Sequence, residues 1–436
     1  MMKKTLDPNY LLRGWEGLPF GVVNKKTGNV QFCTREQYEE LLGYDLVSEN
    51  QKYRKYPNPY FECVHWAVTG RCNYRCRHCY MSAGSTFLPQ FSNEEALYII
   101  DQIASCGIGK VNLTGGEPMV RSDFLDLVDA LLDHGILIHR IITNGSLIDK
   151  EFLGELKKRK VDTTFQISFD GRGCHDWMRG VPGAEAQFER AARLIRDEGF
   201  QLHVTMSVNR RNVHLLRDTV NYVTDLGAVS IRLGDMMDVG DWRDQADFHM
   251  DPVSINNAFL DYLPHYFEDG ARAALLLGSL LTYEPYWREG EKLTLNLEHH
   301  CAVEGESRRL TCPHIRNTLC IDHTGRLLPC INMAGSDLPC RFPNVLDQGL
   351  ASAIADPVFH HAQYLNVREM MDHNPECASC RYRGDCLGGC RALAMEDGVT
   401  DYLAPDRYSC TLYQNGFMEK TRDAVQEIMR SSSIDP

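Results

Sequence analysis

The residues of this sequence with the clearest capacity for chemistry are three closely spaced cysteines, Cys72, Cys76 and Cys79. A zinc knuckle completed by His78 is one interpretation, although structural zinc sites normally close with four protein ligands. Three thiolates can instead hold three irons of a cubane cluster and leave the fourth iron without a protein ligand. The triplet therefore predicts an iron-sulfur cluster with one iron open to another molecule, an arrangement suited to catalysis.

A second cysteine group occupies the last third of the chain. Its members are Cys312, Cys330, Cys377, Cys380, Cys386, Cys390 and Cys410. Gly325 and the apolar residues after it predict a β-hairpin between the first two cysteines, and two separate zinc ribbons are the alternative to iron-sulfur clusters here. The other cysteines outside any such pattern, Cys33, Cys63, Cys106 and Cys174, are expected to pack in the interior.

Composition and charge narrow the functions that these cysteines can serve. The chain has 436 residues, with 46 Lys and Arg against 59 Asp and Glu, and a net charge of −13. Because an acidic chain is not drawn to phosphate backbones or anionic lipid, we expect neither nucleic acid nor a membrane as partner. The longest apolar run, at 273–281, is too short to span a bilayer, and the N-terminus lacks the apolar stretch of a signal peptide. We therefore expect a cytoplasmic protein, whose reduced thiols serve metal or redox chemistry.

The elements that must position these cysteines alternate between short β-rich runs and longer helical patterns. Strands are predicted at 64–68, 111–114, 138–143, 164–169, 203–208 and 229–233, with helices at 94–105, 123–134, 150–159, 186–198 and 215–226 between them. Such alternation indicates βα units and a parallel sheet, either open or curled into a barrel. Ligands of these folds bind at the carboxyl ends of the strands, and the first cysteine group directly follows the first strand.

Four regions are predicted along the chain. They are an N-terminal extension (1–60), an α/β core (61–235), a bridging region with a helix at 252–267 (236–300) and the cysteine-rich region (301–436). In the extension, the runs 20–24 and 30–32 flank a turn-like segment and predict a hairpin. Thr34 and Gln37 then have the spacing of a capping box that opens a helix, and the polar stretch 48–59 is typical of a linker.

The motif after the second predicted strand gives the first cysteine group a family resemblance. Gly115, Gly116, Glu117 and Pro118 follow that strand, and together with the cysteine triplet they resemble the radical S-adenosylmethionine (SAM) superfamily. The resemblance implies a partial (βα)6 barrel in which the open iron binds the amino and carboxylate groups of SAM. It also implies that electron transfer releases a 5′-deoxyadenosyl radical, and that the Gly-Gly-Glu-Pro motif meets the SAM ammonium group.

Residues at two later strand ends, and one beside the cysteines, extend the implied SAM site. By the same resemblance, Asn144, Ser168 and Asp170 lie near the SAM ribose and carboxylate, and Tyr80 lies near the adenine. Turn, cap and packing roles are the alternatives for these residue types.

The seven C-terminal cysteines resemble the SPASM domain that follows many radical SAM barrels. That resemblance implies two auxiliary 4Fe-4S clusters, and so three clusters in all. The first auxiliary cluster would be held by Cys312, Cys330 and Cys390, and the second by Cys377, Cys380, Cys386 and Cys410. For the fourth ligand of the first cluster, Cys301 is slightly favoured over Cys320, Cys340 and an open site.

A radical SAM enzyme with a SPASM domain implies a peptide or protein substrate, which is oxidised, crosslinked or epimerised, and a flavodoxin or ferredoxin as reductant. Alternatives are a formylglycine-forming sulfatase maturase, a maturase of a peptide-derived redox cofactor, and a non-catalytic iron-sulfur carrier. The N-terminal hairpin and helix resemble a shortened leader-peptide recognition domain, with a simple barrel extension as the alternative. No catalytic base is identified from the sequence, although Asp170, Asp235, Asp238 and Tyr382 are polar candidates.

Overall fold

A computed structural model describes most of the chain. The described residues are 10–15, 20–25, 27, 29–34, 37, 54–56, 59–84, 88–287, 290–298, 309–312, 315, 317–335 and 341–431. Cys301, Cys340 and most of the predicted helix after Gln37 lie outside them. Among the described residues, no helix is both long and apolar enough to cross a membrane.

The N-terminal extension contains a four-stranded sheet. Its strands are β1 Tyr10–Trp15, β2 Phe20–Asn24, β3 Val30–Cys33 and β4 Arg54–Tyr56, in the order β3-β2-β1-β4. The predicted hairpin is confirmed as the antiparallel pair β2–β3. The predicted linker at 48–59 is wrong where β4 pairs in parallel with β1, because the Trp15 ring stacks on Tyr56 and supplies an apolar anchor for a short polar strand.

The extension is fixed to the amino end of the barrel strands. Arg13 donates a 2.6 Å hydrogen bond to the carbonyl of Gly107, just before the second barrel strand. The ammonium group of Lys110 lies 3.1 Å from the Asn29 side chain and 2.8 Å from Glu62. The predicted capping box is present, since the Thr34 and Gln37 side chains each accept the other residue's backbone N–H. The extension therefore lies at the opposite end of the strands from the cysteine triplet.

The central sheet has eleven strands. They are β5 Cys63–Ala67, β6 Lys110–Thr114, β7 Leu137–Thr143, β8 Thr164–Ser168, β9 Gln201–Ser207, β10 Ala228–Gly234, β11 Ala274–Leu277, β12 Leu281–Trp287, β13 Gly290–Leu295, β14 Thr318–Ile321 and β15 Leu327–Leu328. Their order is β13-β12-β11-β10-β9-β8-β7-β6-β5-β14-β15. Strands β5 to β11 run parallel, which confirms the six predicted strands and the partial barrel.

Helices connect the parallel strands and bury one face of the sheet. They are α1 Asn93–Ser105, α2 Phe124–Asp133, α3 Lys150–Lys158, α4 His175–Arg179, α5 Ala184–Asp197, α6 Leu216–Asp225 and α7 Pro252–Glu268. Helix α1 begins with a capping box formed by Ser92 and Glu95, and its Ile99 and Ile103 are fully buried. All six predicted helices are present, and the five-residue helix α4 is an addition.

The sheet continues beyond the predicted core on both sides. The apolar run at 273–281 contributes β11 and the start of β12, and β11 pairs in parallel with β10. The predicted C-terminal hairpin is present as β14–β15, and β14 pairs in parallel with β5. The cysteine-rich region is thus joined to the barrel by backbone hydrogen bonds.

After the hairpin, the C-terminal region is helical. The helices are α8 Val345–Gln348, α9 Leu350–Ile354, α10 Pro357–Tyr364, α11 Val367–His373, α12 Pro375–Ala378, α13 Arg383–Cys386, α14 Arg407–Gln414 and α15 Phe417–Ser431. Most of these are shorter than the length at which an isolated helix is stable in water. Their arrangement therefore depends on tertiary contacts.

Candidate functional site

The cysteine triplet lies in a loop at the carboxyl end of β5 that is held by two distant segments. The N–H groups of Arg75 and Arg77 bond to the carbonyls of Arg179 and Met178 at the end of α4, at 3.2 and 2.9 Å. The N–H of Asp241, in the 3-10 helix Gly240–Phe248, bonds to the carbonyl of Cys79 at 3.0 Å. All three cysteines of the triplet are half-buried. The loop conformation is therefore set by neighbouring elements.

Burial dominates the electrostatics of the triplet. Burial raises the pKa of the Cys72 thiol to about 12, and burial also raises the pKa of Cys79. Burial raises the pKa of Cys76 as well, although the Arg179 guanidinium, 3.7 Å from its sulfur, opposes the rise. Such thiols stay protonated near neutral pH unless a bound metal displaces the proton.

The ligand set of the triplet is not tested by the arrangement of its side chains. Among the described residues, no three His, Cys, Asp or Glu side chains converge as they would around one metal ion. That Cys72, Cys76 and Cys79 hold an iron-sulfur cluster stays a prediction.

The Gly-Gly-Glu-Pro motif packs directly against the start of the cysteine loop. The N–H groups of Gly116 and Glu117 bond to the carbonyls of Thr69 and Arg71, each at 2.9 Å. A Cβ atom on Gly115 or Gly116 would collide with those same carbonyls. In addition to any approach to a ligand, the glycines are therefore required because two backbone segments meet here.

Glu117 is fully buried at the ends of two strands. Its carboxylate accepts hydrogen bonds from the Thr143 hydroxyl at 2.8 Å, the Asn144 N–H at 2.7 Å and the Met119 N–H at 3.2 Å. Burial raises the pKa of Glu117 to about 7, and these hydrogen bonds limit the rise. A cation placed beside Glu117 would favour its ionised form.

Asn144 links the third strand end to the cysteine loop. Its side-chain amide donates to Asn73 at 2.8 Å, and Asn73 donates to Ser146 at 2.9 Å. Ser168 is the last residue of β8 and lies half-buried beside Thr205 of β9. The strand-end residues Glu117, Asn144 and Ser168 therefore come from three successive strands at the same edge of the sheet.

Asp170 has partners of its own in this structure. Its carboxylate has no exposed surface, accepts from the Arg179 Nε at 2.9 Å and from the Ser207 N–H at 3.1 Å, and lies 3.1 Å from the His175 Nδ1. Burial favours the neutral acid, but Arg179 and His175 hold the pKa of Asp170 below its usual range. Asp170 therefore orients the guanidinium that lies beside Cys76, and a direct contact with SAM stays a prediction.

Tyr80 lies where the cysteine loop meets the C-terminal region. Gly240 and Gly335 pack against its backbone and Cβ atoms. Burial raises the pKa of Tyr80, and the neighbouring groups Cys320 and Asp322 add to the rise. Its predicted position beside the adenine of SAM is not tested by these contacts.

Four of the C-terminal cysteines line one cavity. Cys377, Cys380, Cys386 and Cys410 surround a space of about 280 Å³, together with Arg383, Asp406 and Arg407 among others. Burial raises the pKa of Cys386 to about 12. The four cysteines that the sequence assigns to the second auxiliary cluster are thus brought together, although they come from three separate helices and the turn between α12 and α13.

The remaining auxiliary cysteines are close enough to influence one another's charge. Burial raises the pKa of Cys330 and of Cys390, and backbone hydrogen bonds oppose the rise. Cys312 adds to the rise at Cys330, and Cys330 adds to the rise at Cys390. Cys320, by contrast, is only 2% exposed and belongs to the hydrophobic core. Such burial is typical of a free cysteine that packs in a core, and the other candidate ligands, Cys301 and Cys340, lie outside the described residues.

Two residues that the sequence did not single out connect these sites. Asp406 is 2% exposed, accepts the Cys390 N–H at 2.8 Å, and caps the helix that carries Cys410 by accepting the Ser409 N–H at 3.0 Å. Arg391 is equally buried and donates to the carbonyls of Tyr402 and Ala404. The N-cap position of Asp406 before α14 is a signal that sequence reading could have used.

The sequence is similar to a protein family and to several characterised proteins. Residues 66–223 match the model of the radical SAM superfamily. An AdoMet-dependent heme synthase of Nitratidesulfovibrio vulgaris is 27% identical over 358 residues, which are 77% of this chain and 89% of that protein. The antilisterial bacteriocin subtilosin biosynthesis protein AlbA of Bacillus subtilis is 26% identical over 327 residues, which are 74% of this chain and 65% of that protein.

A solved structure shares the fold over most of the chain. The crystal structure of Streptococcus suis SuiB bound to precursor peptide SuiA matches with a TM-score of 0.63 and 14% identity, covering 92% of this chain and 99% of that one. The superfamily implies SAM and a 4Fe-4S cluster as cofactors. With the triplet, the Gly-Gly-Glu-Pro motif and the partial barrel in place, residues 66–223 form a radical SAM domain, and the chain is an enzyme that resembles radical SAM maturases of the SPASM type.

Proposed function

We propose that this enzyme modifies a peptide substrate and uses two auxiliary 4Fe-4S clusters to do so. The observation that carries the proposal is the cavity of about 280 Å³ lined by Cys377, Cys380, Cys386 and Cys410, since a site with four cysteines resembles an auxiliary cluster site. The similarity to a bacteriocin biosynthesis protein and the shared fold with a peptide-bound enzyme support a peptide substrate. Oxidation, crosslinking and epimerisation are the reactions that this proposal covers.

The residues of the barrel have defined tasks in this function. Cys72, Cys76 and Cys79 hold the first cluster, which when bound supplies the electron that cleaves SAM reductively. Glu117 holds the SAM ammonium group, because a buried carboxylate already fixed by Thr143 and Asn144 is preorganised for a cation. Gly115, Gly116 and Pro118 shape the turn, while Asn144, Ser168, Asp170 and Tyr80 complete the pocket.

The clusters of the C-terminal region need an electron route and a reductant. Cys312, Cys330 and Cys390 hold the first auxiliary cluster, and Asp406 fixes its distance from the second because it bonds to Cys390 and caps the helix of Cys410. Oxidative modification would remove electrons from the substrate, and clusters held by these cysteines would supply an acceptor for them. A flavodoxin or ferredoxin supplies the electron that the barrel cluster uses.

The N-terminal sheet is proposed to capture the peptide. Strand β3 (Val30–Cys33) lies at the edge of its sheet, and its residue Phe32 is 37% exposed. An edge strand offers backbone groups with which an extended peptide can pair. Because the sheet lies at the amino end of the barrel, the peptide would have to extend around the barrel to reach SAM.

Tetrapyrrole modification is a second candidate. The relative from Nitratidesulfovibrio vulgaris covers most of both chains and is a heme synthase by name. The two candidates differ in substrate, while the barrel chemistry would be the same. A formylglycine-forming maturase and a maturase of a peptide-derived redox cofactor remain variants of the peptide proposal.

The test is substrate-dependent release of 5′-deoxyadenosine from the reconstituted enzyme. We expect release to rise, and a mass change to follow, when a peptide encoded beside the enzyme is added. Stimulation by coproporphyrin III with its iron, and none by any such peptide, would replace the peptide proposal with the tetrapyrrole one. If the enzyme cleaved no SAM under any reducing condition, both the peptide and the tetrapyrrole proposals would be contradicted.

A further inference from the structure

A second cavity, of about 410 Å³, lies against the inner face of the central sheet. Six neighbouring strands, β7 to β12, contribute to its wall. Its polar lining includes Arg140, Gln166, His203, Thr205, Arg232 and Glu284. These side chains alternate along their strands with core residues that face the helices, such as Ile141 and Ile167. We call this space the barrel cavity.

Arg140 is the central cation of the barrel cavity. Its guanidinium is half-buried and donates to the Gln166 side chain at 2.9 Å and, more weakly, to the Thr164 hydroxyl at 3.4 Å. Within the described part of the chain, it has no carboxylate at ion-pair distance. Buried arginines are usually paired with an acid, so the neutral partners of Arg140 leave its charge uncompensated.

The other charged groups of the barrel cavity leave it positive. Arg232 lines the same space from β10. Burial raises the pKa of Asp235 and of Cys330, and the charge of Arg232 opposes both rises. Burial and Arg140 lower the pKa of His203 to about 4, so this imidazole is neutral near pH 7. Glu284 is the single carboxylate of the lining, against two guanidinium groups.

The barrel cavity is separate from the predicted SAM contacts. Arg140 precedes Thr143 by three residues on β7, which is about 10 Å along a strand. Thr143 is the residue that bonds to Glu117 at the carboxyl end of the sheet. The cavity therefore lies deeper in the barrel than the groups proposed to hold the SAM ammonium group.

We propose that the barrel cavity binds a carboxylate group of the substrate through Arg140 and Arg232. A guanidinium presents a planar fork that matches a carboxylate. The two guanidinium groups are accessible to such a ligand, since Arg140 is half-buried and Arg232 is exposed. The source of the carboxylate is either an acidic side chain of a peptide or a propionate of a tetrapyrrole. This inference rests on the proposed function for the reaction and adds the chemical class of the group that is bound.

The test measures binding with the reconstituted full-length enzyme. The probes are coproporphyrin III, its tetramethyl ester, and the capped amino acids N-acetyl-glutamate methylamide and N-acetyl-glutamine methylamide. Fluorescence quenching reports the porphyrins, and saturation-transfer NMR reports the amino acids. The variants are Arg140→Gln and Arg232→Gln, with Arg193→Gln, on the exposed face of α5, as the matched control.

We expect an acid probe to bind wild type and the control, and its uncharged analogue to bind weakly. Loss of a charge-assisted hydrogen bond should weaken the acid at least about tenfold in Arg140→Gln. Binding of coproporphyrin III alone would identify a tetrapyrrole as the source, and binding of the glutamate probe alone would identify a peptide. Arg232→Gln provides the same test if Arg140→Gln does not fold.

Two results would overturn the inference. Acid probes that bind wild type and both cavity variants equally, or that bind none of them, would show that the cavity does not select carboxylates. If Arg140→Gln lowered the affinity for SAM as much as the affinity for the acid probe, Arg140 would be a SAM-binding residue instead. Reductive SAM cleavage without substrate, measured in parallel, separates these results from a failure of the proposed function.

Discussion

The barrel and the C-terminal region hold their cysteines in different ways. The triplet occupies one loop, which α4 and the 3-10 helix Gly240–Phe248 clamp through backbone hydrogen bonds. The C-terminal cysteines are spread over helices of four to eight residues and the turns between them. The triplet loop is held by hydrogen bonds to two segments outside it, whereas helices of four to eight residues have little stability of their own. We therefore expect the barrel site to keep its shape without metal and the proposed auxiliary sites to depend on their clusters.

Removal of iron should separate the two regions most clearly. After anaerobic chelation, we expect amide hydrogens of β5 to β10 to keep their protection, while those of α12, α13 and α14 exchange at least a hundredfold faster, because cluster binding contributes folding energy. Hydrogen-exchange mass spectrometry measures both regions in one sample. Equal loss of protection in the two regions would contradict the comparison.

Replacement of Asp406 should damage the C-terminal region alone. Asp406→Ala removes the acceptor of the Cys390 N–H and the cap of the helix with Cys410, at a cost of about 2–4 kcal/mol. We expect the iron content to fall from about 12 to about 4 per chain. Asp372→Ala, at an exposed carboxylate, is the control. A variant that retained all its iron would show that Asp406 does not connect the clusters.

Arg179 allows the converse test in the barrel. Its guanidinium lies 3.7 Å from the Cys76 sulfur, so Arg179→Gln removes a positive charge that favours the reduced cluster. We expect the midpoint potential of the barrel cluster to fall by about 60 mV or more, a tenfold change for a one-electron couple. Arg179→Lys should recover part of the loss. EPR-monitored titration gives the potential, and no change in Arg179→Gln would exclude this role.

Glu117 gives the smallest expected effect, a pH dependence of SAM binding. Its pKa is raised to about 7 by burial, and the ionised form holds the ammonium group. The ionised fraction rises roughly fivefold from pH 6 to pH 7, so affinity should rise by that factor and then fall as the SAM amino group loses its proton near pH 8. Glu117→Gln should bind weakly, without the rise below pH 7. Anaerobic equilibrium dialysis measures the SAM affinity at each pH. If the affinity of Glu117→Gln still rose from pH 6 to pH 7, the titration would belong to another group.

Much of the barrel could be predicted from sequence because its signals are local. The six parallel strands lie within two residues of their predicted bounds, since each apolar run is followed by a helix with regular spacing. Strands β11 to β13 were missed because the apolar run at 273–281 does not alternate and precedes no helix. The strand β4 was missed because its anchor, Tyr56, packs on Trp15 far away in the sequence.

The candidate site shows the same limit. Cysteine spacing predicts which residues gather, and the shared cavity of Cys377, Cys380, Cys386 and Cys410 agrees with it. Spacing does not predict that Arg179 lies beside Cys76, because 103 residues separate them in the chain. Nor does it predict that the Asp170 carboxylate contacts the side chains of Arg179 and His175. These contacts depend on the tertiary arrangement of the strand ends.

The most direct test of the central claim is the iron and sulfide content after anaerobic reconstitution. Wild type is compared with a variant in which Cys72, Cys76 and Cys79 are all changed to Ala. Three 4Fe-4S clusters predict about 12 irons in wild type and about 8 in the variant. Zinc in place of iron, or about 4 irons that fall to none, would contradict the auxiliary clusters and the peptide proposal that rests on them.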